Sequence, residues 1–113
     1  MPSFKFGEVI LVDFPYSDQN REKRRPGLVL SQDKYGDLLV ARISSRIPEF
    51  VTDVRLEDWK LAGLNIPSTV RLLKMTTFHE ALVLRSLGKV SERDWQSVIR
   101  TMRKFLDTIE VLT

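Results

Sequence analysis

Short β-branched and apolar runs, separated by turn-forming residues, fill most of the chain and restrict what it can fold into. Six runs are candidates for strands: residues 8–14, 26–31, 38–44, 51–56, 68–73 and 82–87. Short strands at this spacing favour a small β-barrel over a parallel sheet with crossover helices. The intervening segments predict a long polar loop over 16–24, a turn over 34–37 and a short helical turn over 57–62 that stops at Gly63.

One helix is predicted, at the C-terminal end. Ser91 is a suitable N-cap, and Asp94 occupies the third helical position of a near capping box. Apolar residues then recur at spacings of three and four: Trp95, Val98, Ile99, Met102, Phe105, Leu106 and Ile109. We expect this stripe to pack on the barrel, with a surface for a partner helix as the alternative. The predicted fold class is therefore mainly β with a C-terminal α-helix (α+β).

Length and composition exclude several classes of protein. The 113 residues fit a single domain over 1–113, and 42% hydrophobic with 29% charged residues is a globular balance. With no cysteine and one histidine, the chain offers no disulfide and no ordinary zinc site. No P-loop, dinucleotide-binding glycine motif or EF-hand occurs either, and we predict no metal and no cofactor. Neither a signal peptide nor an 18-residue apolar run is present, which predicts a cytoplasmic protein without membrane contact. The net charge of +3 permits nucleic-acid binding without requiring it.

The densest positive cluster lies just before the second predicted strand. Four cations, Arg21, Lys23, Arg24 and Arg25, are interrupted only by Glu22. Guanidinium groups bind phosphate through forked hydrogen bonds, so this segment could clamp a phosphate backbone, or it could be a solvated surface. Arg25 precedes a proline, which predicts an extended backbone and a fixed direction for its side chain. It could then stabilise charge on a phosphoryl group, or pair with a carboxylate at the strand edge.

Further polar residues cluster at the end of the third predicted strand. Alternation places Arg42, Ser44 and Arg46 on one face, where a hydroxyl between two cations could cradle a phosphate oxygen or form a polar edge. Asp18 could orient a cation or a ribose hydroxyl, although a turn is its commoner role. His79 has no second histidine with which to form an acid–base pair, so we interpret it as a surface residue.

The order of these features resembles the MazF/PemK toxins of bacterial toxin–antitoxin systems. The similarity rests on residues 7–15 (GEVILVDFP), 25–31 (RPGLVLS), 43–45 (ISS), 63–64 (GL), 67–70 (PSTV) and 87–91 (LGKVS). These pieces cover nearly the whole chain in the right order, and the first two together are the most specific.

The resemblance implies a fold, an activity and partners. The fold would be a small SH3-like barrel of the MazF/PemK/CcdB type, assembled as a homodimer with RNA bound along the interface. The activity would be metal-independent, sequence-specific cleavage of single-stranded mRNA, with the ribose 2′-hydroxyl as nucleophile and a 2′,3′-cyclic phosphate as product. The second partner would be a cognate antitoxin protein.

The resemblance also assigns roles to residues. The arginine of the family's Arg-Pro motif falls on Arg25, as proton donor and phosphate stabiliser. The family's third-strand threonine falls on Ser44, which would contact the phosphorane oxygens, and the acidic residue of the first loop falls on Asp18, a substrate contact. The other candidate substrate contacts are Gln19, Lys23, Arg24, Arg42, Ser45, Arg46 and Lys74.

The chain departs from the family pattern at several positions. The segment 20–24 is charged and lacks the usual glycines, Ser44 replaces threonine, and Gly27 replaces an apolar residue. The aspartate often found near 76–79 is absent. The alternative function is therefore a non-catalytic relative on the same barrel, acting as an RNA-binding module or a gyrase-directed toxin.

Overall fold

Six strands and one α-helix form the framework in the computed structural model, which describes residues 4–16 and 21–110. The elements in chain order are β1 (Glu8–Tyr16), β2 (Arg21–Gln32), β3 (Asp37–Ser44), β4 (Asp53–Arg55), β5 (Thr69–His79), β6 (Arg85–Lys89) and α1 (Glu92–Asp107). A single turn of 3₁₀-helix, Glu80–Leu82, precedes β6. No helix in the described ranges is long and apolar enough to cross a membrane.

The strands pair into one antiparallel sheet in the order β4-β5-β3-β2-β1-β6. Irregularities in register interrupt the β1–β6, β2–β3 and β3–β5 pairs. Bulges of this kind bend strands and increase their twist, which lets a sheet curl. The predicted fold class, mainly β with a C-terminal helix, is confirmed.

The β4–β5 connection, residues 56–68, closes the curled sheet by lying against the opposite edge strand. Gly63 adopts φ +82, a conformation that favours glycine, and a Cβ there would overlap the carbonyl oxygen of Leu87 in β6. A Cβ on Gly88 would lie 2.6 Å from the carbonyl oxygen of Ala62. Two glycines therefore allow the backbones of the connection and of β6 to touch.

The interior consists of two clusters of buried apolar side chains. One contains Ile10, Val12, Phe14, Val29, Leu38, Val40 and Phe78. The other contains Val9, Leu28, Ala41, Ile43, Val54, Leu56, Ala62, Val70, Leu72, Val90 and Val98. The helix covers the second cluster with Trp95, Val98 and Met102, as predicted, but the stripe ends early because Leu106 and Ile109 are exposed.

The packing of Phe14 explains one departure from the family pattern. A Cβ on Gly27 would overlap Val40 and lie 3.2 Å from the Phe14 ring. Phe14 also meets Phe78 edge to face, with ring centroids 5.1 Å apart. Val40, together with the Phe14 ring of this aromatic pair, thus occupies the space that a larger residue at position 27 would need.

A polar cluster fixes the start of α1 to the β4–β5 connection. Ser91 caps the helix by accepting from the Asp94 N–H. The buried Asp94 carboxylate accepts from the backbone N–H groups of Glu57 (2.9 Å) and Asp58 (2.8 Å). Asp58 in turn accepts from the Arg93 guanidinium and the Ser91 hydroxyl, and these hydrogen bonds lower the pKa of the Asp58 carboxyl.

We expect Asp94→Ala to lower the free energy of unfolding by about 2–4 kcal/mol, because two part-buried backbone donors lose a buried, charged acceptor. Chemical denaturation of the purified protein measures this loss. Asp107→Ala, at the exposed end of the same helix, serves as a control and should change stability by less than about 0.5 kcal/mol. Equal stability of the two variants would contradict the account of this cluster.

Several predicted boundaries are wrong. Most of the predicted loop 16–24 is strand, because β1 continues through Pro15 and pairs with β2 as far as Tyr16 and Arg21. Residues 76–79, which lie outside the strand predicted over 68–73, belong to β5. The turn predicted over 57–62 is present, as hydrogen-bonded turns that end at Gly63. The strand predicted over 51–56 is shorter, and that over 82–87 begins later.

Candidate active site

A pocket of about 310 Å³ opens where the β4–β5 connection meets β6. It is lined by Leu11, Arg25, Pro26, Ile43, Ser44, Ser45, Gly63, Leu64, Asn65, Ile66, Ser68, Arg85 and Leu87. Two arginines, three serines and an asparagine stand among apolar walls, and no carboxylate lines it within the described residues. A cationic pocket of this kind favours an anionic ligand that also carries an apolar part.

The sheet register brings Arg25 and Ser44 together. The β2–β3 pairing ends with Gly27 opposite Arg42, and two residues further the same register places Arg25 opposite Ser44. Both side chains are half-buried and both residues line the pocket. The Ser44 hydroxyl oxygen accepts from the Arg46 N–H at 3.3 Å, so its proton can be donated to a ligand.

The face that carries Arg25 and Ser44 is rich in arginine. Across the next two strands, Ser44 pairs with Thr69 and Thr69 with Arg55. The adjacent row places Arg42 opposite Arg71, and Arg71 opposite Asp53. Cross-strand partners share a face of a sheet, so four arginines and one aspartate stand on this part of it. The positive charge of the site thus extends beyond the pocket.

The remaining predicted contacts are dispersed, apart from Ser45, which lines the pocket. The exposed Arg24 forms an ion pair with Asp13, with 3.6 Å between Arg24 Nε and Asp13 Oδ1. Arg46 pairs with Glu49, with 3.6 Å between Arg46 Nη1 and Glu49 Oε1. β3 ends at Ser44, so the strand alternation does not extend to Arg46. Only part of the predicted cradle forms: Arg42 shares a face of the sheet with Ser44, whereas Arg46 pairs with Glu49.

Four other predicted residues either line a different pocket or have side chains that the structure does not describe. Lys74 lines a different pocket. Asp18 and Gln19 lie outside the described residues, and the Lys23 side chain is likewise not described. The exposed His79, interpreted as a surface residue, caps the 3₁₀ turn by accepting from the Ala81 N–H.

Sequence reasoning missed three polar residues of the pocket: Asn65, Arg85 and Ser68, the last of which lies within the 67–70 piece of the resemblance. Asn65 belongs to the β4–β5 connection, whereas Arg85 pairs with Leu11 at the start of β6. Each of these two lies within two residues of a piece that carries the family resemblance, Gly63-Leu64 or Leu87-Gly88. That proximity was the available signal, but only closure of the barrel shows that both face the same pocket as Arg25.

The family of PemK-like, MazF-like toxins of type II toxin–antitoxin systems matches residues 5–106. This chain belongs to that family. No curated protein sequence matches it.

Solved structures of toxins share the fold. A mycobacterial endoribonuclease in complex with its cognate antitoxin superposes with a TM-score of 0.74 at 16% identity, covering 96% of this chain and all of that one. MazF from Deinococcus radiodurans gives 0.71 at 20% identity, covering 92% and 96% of the two chains. The Mycobacterium tuberculosis toxin MazF-mt6 gives 0.68 at 20% identity, covering 87% and 96%.

Proposed function

We propose that this toxin is a sequence-specific, metal-independent endoribonuclease that cleaves single-stranded RNA to a 2′,3′-cyclic phosphate and a 5′-hydroxyl. The observation that carries the proposal is the meeting of Arg25, Ser44 and Arg85 at one pocket that no carboxylate lines among the residues that the structure describes. A phosphodiester carries a negative charge that the two arginines attract, and its base and ribose can lie against the apolar walls. Family membership and the endoribonuclease neighbours support the same assignment.

The reaction needs an attacking 2′-oxygen, a leaving 5′-oxygen and stabilisation of the charge between them. The 2′-hydroxyl loses its proton to solvent as its oxygen forms a bond to phosphorus, the P–O5′ bond breaks, and the 5′-oxygen gains a proton and leaves as a hydroxyl. Arg25 donates hydrogen bonds to the phosphorane oxygens, and it is the candidate donor of the proton to O5′. The Ser44 hydroxyl donates a further hydrogen bond to a non-bridging oxygen. Fixed donors aimed at developing charge commonly provide the largest single part of such catalysis.

The proposed assembly follows the solved relatives. The mycobacterial endoribonuclease and the Deinococcus MazF have each been solved with their antitoxins. We propose that a cognate antitoxin neutralises the present chain by covering the pocket. We also propose that the toxin is a homodimer and that it is located in the cytoplasm. Copurification of the chain with the product of a neighbouring gene tests the first of these.

The direct test is incubation of the purified protein with a long single-stranded RNA, followed by mapping of the products. Discrete fragments with a common sequence at their ends are expected. Binding without cleavage, over a range of RNAs and salt concentrations, would contradict the enzyme and favour the non-catalytic RNA-binding relative.

Substitutions at Ser44 test its role separately. We expect Ser44→Ala to slow cleavage about 10- to 100-fold, since one hydrogen bond to a charged group is lost. Ser44→Thr keeps the hydroxyl and should stay within a few-fold of the wild-type rate. Single-turnover kinetics measures both, with Ser97→Ala on the helix as control. An inactive but folded threonine variant would argue against the alignment of Ser44 with the family's threonine.

A further inference from the structure

A second pocket, also of about 310 Å³, lies on the β4–β5 edge of the sheet and shares no lining residue with the first. Its lining residues are Phe50, Asp53, Arg71, Leu73 and Lys74. Phe50 and Leu73 are large apolar side chains that are 55% and 57% exposed. An exposed aromatic ring beside two cations is the combination that single-stranded nucleic acids use for stacking and backbone contact.

Arg71 is held here with unused hydrogen-bonding capacity. Its side chain is 15% exposed, and the buried Nε has no hydrogen-bond partner within the described residues. Arg71 forms an ion pair with Asp53, but the distance of 3.8 Å between Arg71 Nε and Asp53 Oδ1 is too long for a hydrogen bond. A donor left unsatisfied in this way costs free energy that an incoming acceptor would recover.

Asp53 does not cancel the charge of the second pocket. Its carboxylate is 4% exposed, and Oδ2 accepts from the backbone N–H groups of Glu49 and Phe50. The aspartate thus holds the segment that presents the Phe50 ring. Because Lys74 is exposed, Arg71 and Lys74 together outweigh this single buried carboxylate.

The register places this pocket beside the catalytic pair. Ser44 lies opposite Thr69, so Arg71, two residues further along β5, is its diagonal neighbour on the same face. Diagonal neighbours in a sheet are separated by about 7–8 Å. That separation is comparable to the distance between successive phosphates of an extended strand.

We propose that Phe50, Arg71 and Lys74 form a subsite for the RNA nucleotide next to the cleaved phosphate, with its base stacked on Phe50 and its phosphate bound by the two cations. This inference rests on the proposed endoribonuclease function, because it takes Ser44 as the position of the scissile phosphate. Stacking accepts any base, so the subsite adds affinity without selecting the cut sequence.

Binding of a short 2′-deoxy oligonucleotide to the full chain, measured by fluorescence anisotropy at several salt concentrations, tests the subsite without requiring cleavage. Phe50→Leu keeps an apolar side chain but removes the ring, and should raise the Kd about fivefold or more. Lys74→Ala should also raise the Kd, and should reduce the slope of log K against log salt by about 0.7, the value expected for one lost phosphate contact on a single strand.

Matched controls come from another exposed cation and aromatic pair, Lys34 and Tyr35, whose ammonium lies 5.3 Å from the ring centre. Tyr35→Leu and Lys34→Ala should leave the Kd and the salt slope unchanged.

Three results would overturn the subsite: wild-type affinity in both test variants, equal losses in the controls, or no binding by the wild-type protein. Light scattering provides a fourth, since a change of oligomeric state in Phe50→Leu with unchanged RNA affinity would assign the patch to contact between copies. Binding that the test variants weaken, without any RNA cleavage by the wild-type protein, would instead refute the proposed enzyme and leave Phe50, Arg71 and Lys74 as an RNA-binding site with no cleaved phosphate beside it.

Discussion

Replacing Arg25 with alanine is expected to lower the rate of RNA cleavage by at least about 100-fold, because the fixed charge opposite Ser44 is lost. The Arg25 side chain is half-buried and lines the candidate active site. Pro26 restrains the backbone of Arg25 to the extended region. At or close to this position β2 is also paired with β1 on one side and with β3 on the other. The side chain is therefore held in place before substrate binds.

Single-turnover cleavage at saturating protein measures the effect of Arg25→Ala. Arg25→Lys should fall between wild type and alanine, since it keeps a charge but loses the planar fork of donors. Arg103→Ala, an exposed arginine on α1, makes the same change of net charge and should cleave at the wild-type rate. Cleavage by folded Arg25→Ala at a rate close to wild type would refute the assigned site.

The second large effect is expected at Gly63. Gly63→Ala should lower the free energy of unfolding by about 3 kcal/mol or more, because a left-handed conformation and a backbone overlap are penalised together. The added methyl group would push the β4–β5 connection away from Leu87 in β6. Because that connection carries Leu64, Asn65 and Ile66 of the pocket wall, cleavage should also fall.

Thermal unfolding provides the measurement, with an expected drop in Tm of roughly 10 °C or more. Gly36→Ala is the matched control, since Gly36 also has positive φ (+91), but its nearest neighbours are side-chain atoms of His79 and Glu80 at 3.1 Å. This control should lose only about 1–2 kcal/mol. Similar losses in both variants would show that contact with β6 does not restrict position 63.

Local signals in the sequence predicted the elements that local interactions determine. The Ser91 cap, the turn after Gln32 and the apolar strands all depend on residues a few positions apart. The segment 21–24 was predicted as loop because its polar residues carry no apolar alternation. Its strand pairing is instead imposed by β1, which lies alongside it, with Asp13 opposite Arg24.

Only some residues of the candidate site could be predicted from the sequence, for a related reason. Arg25 and Ser44 belong to motifs that the resemblance marks, and their strands are neighbours in the sheet. Asn65 and Arg85 join them only because two edges of the sheet are brought together at Gly63 and Gly88. Residues that are far apart in the sequence and meet only when the sheet closes produce no periodic pattern in a single sequence.

The measurement that tests the central proposal most directly is end-group analysis of RNA treated with the purified protein in EDTA. We predict fragments that end in 2′,3′-cyclic phosphate and begin with a 5′-hydroxyl, formed at full rate without added metal and absent when Arg25→Ala is used. Fragments with 3′-hydroxyl and 5′-phosphate ends, or cleavage that requires Mg²⁺, would contradict attack by the 2′-hydroxyl at the Arg25 and Ser44 pocket.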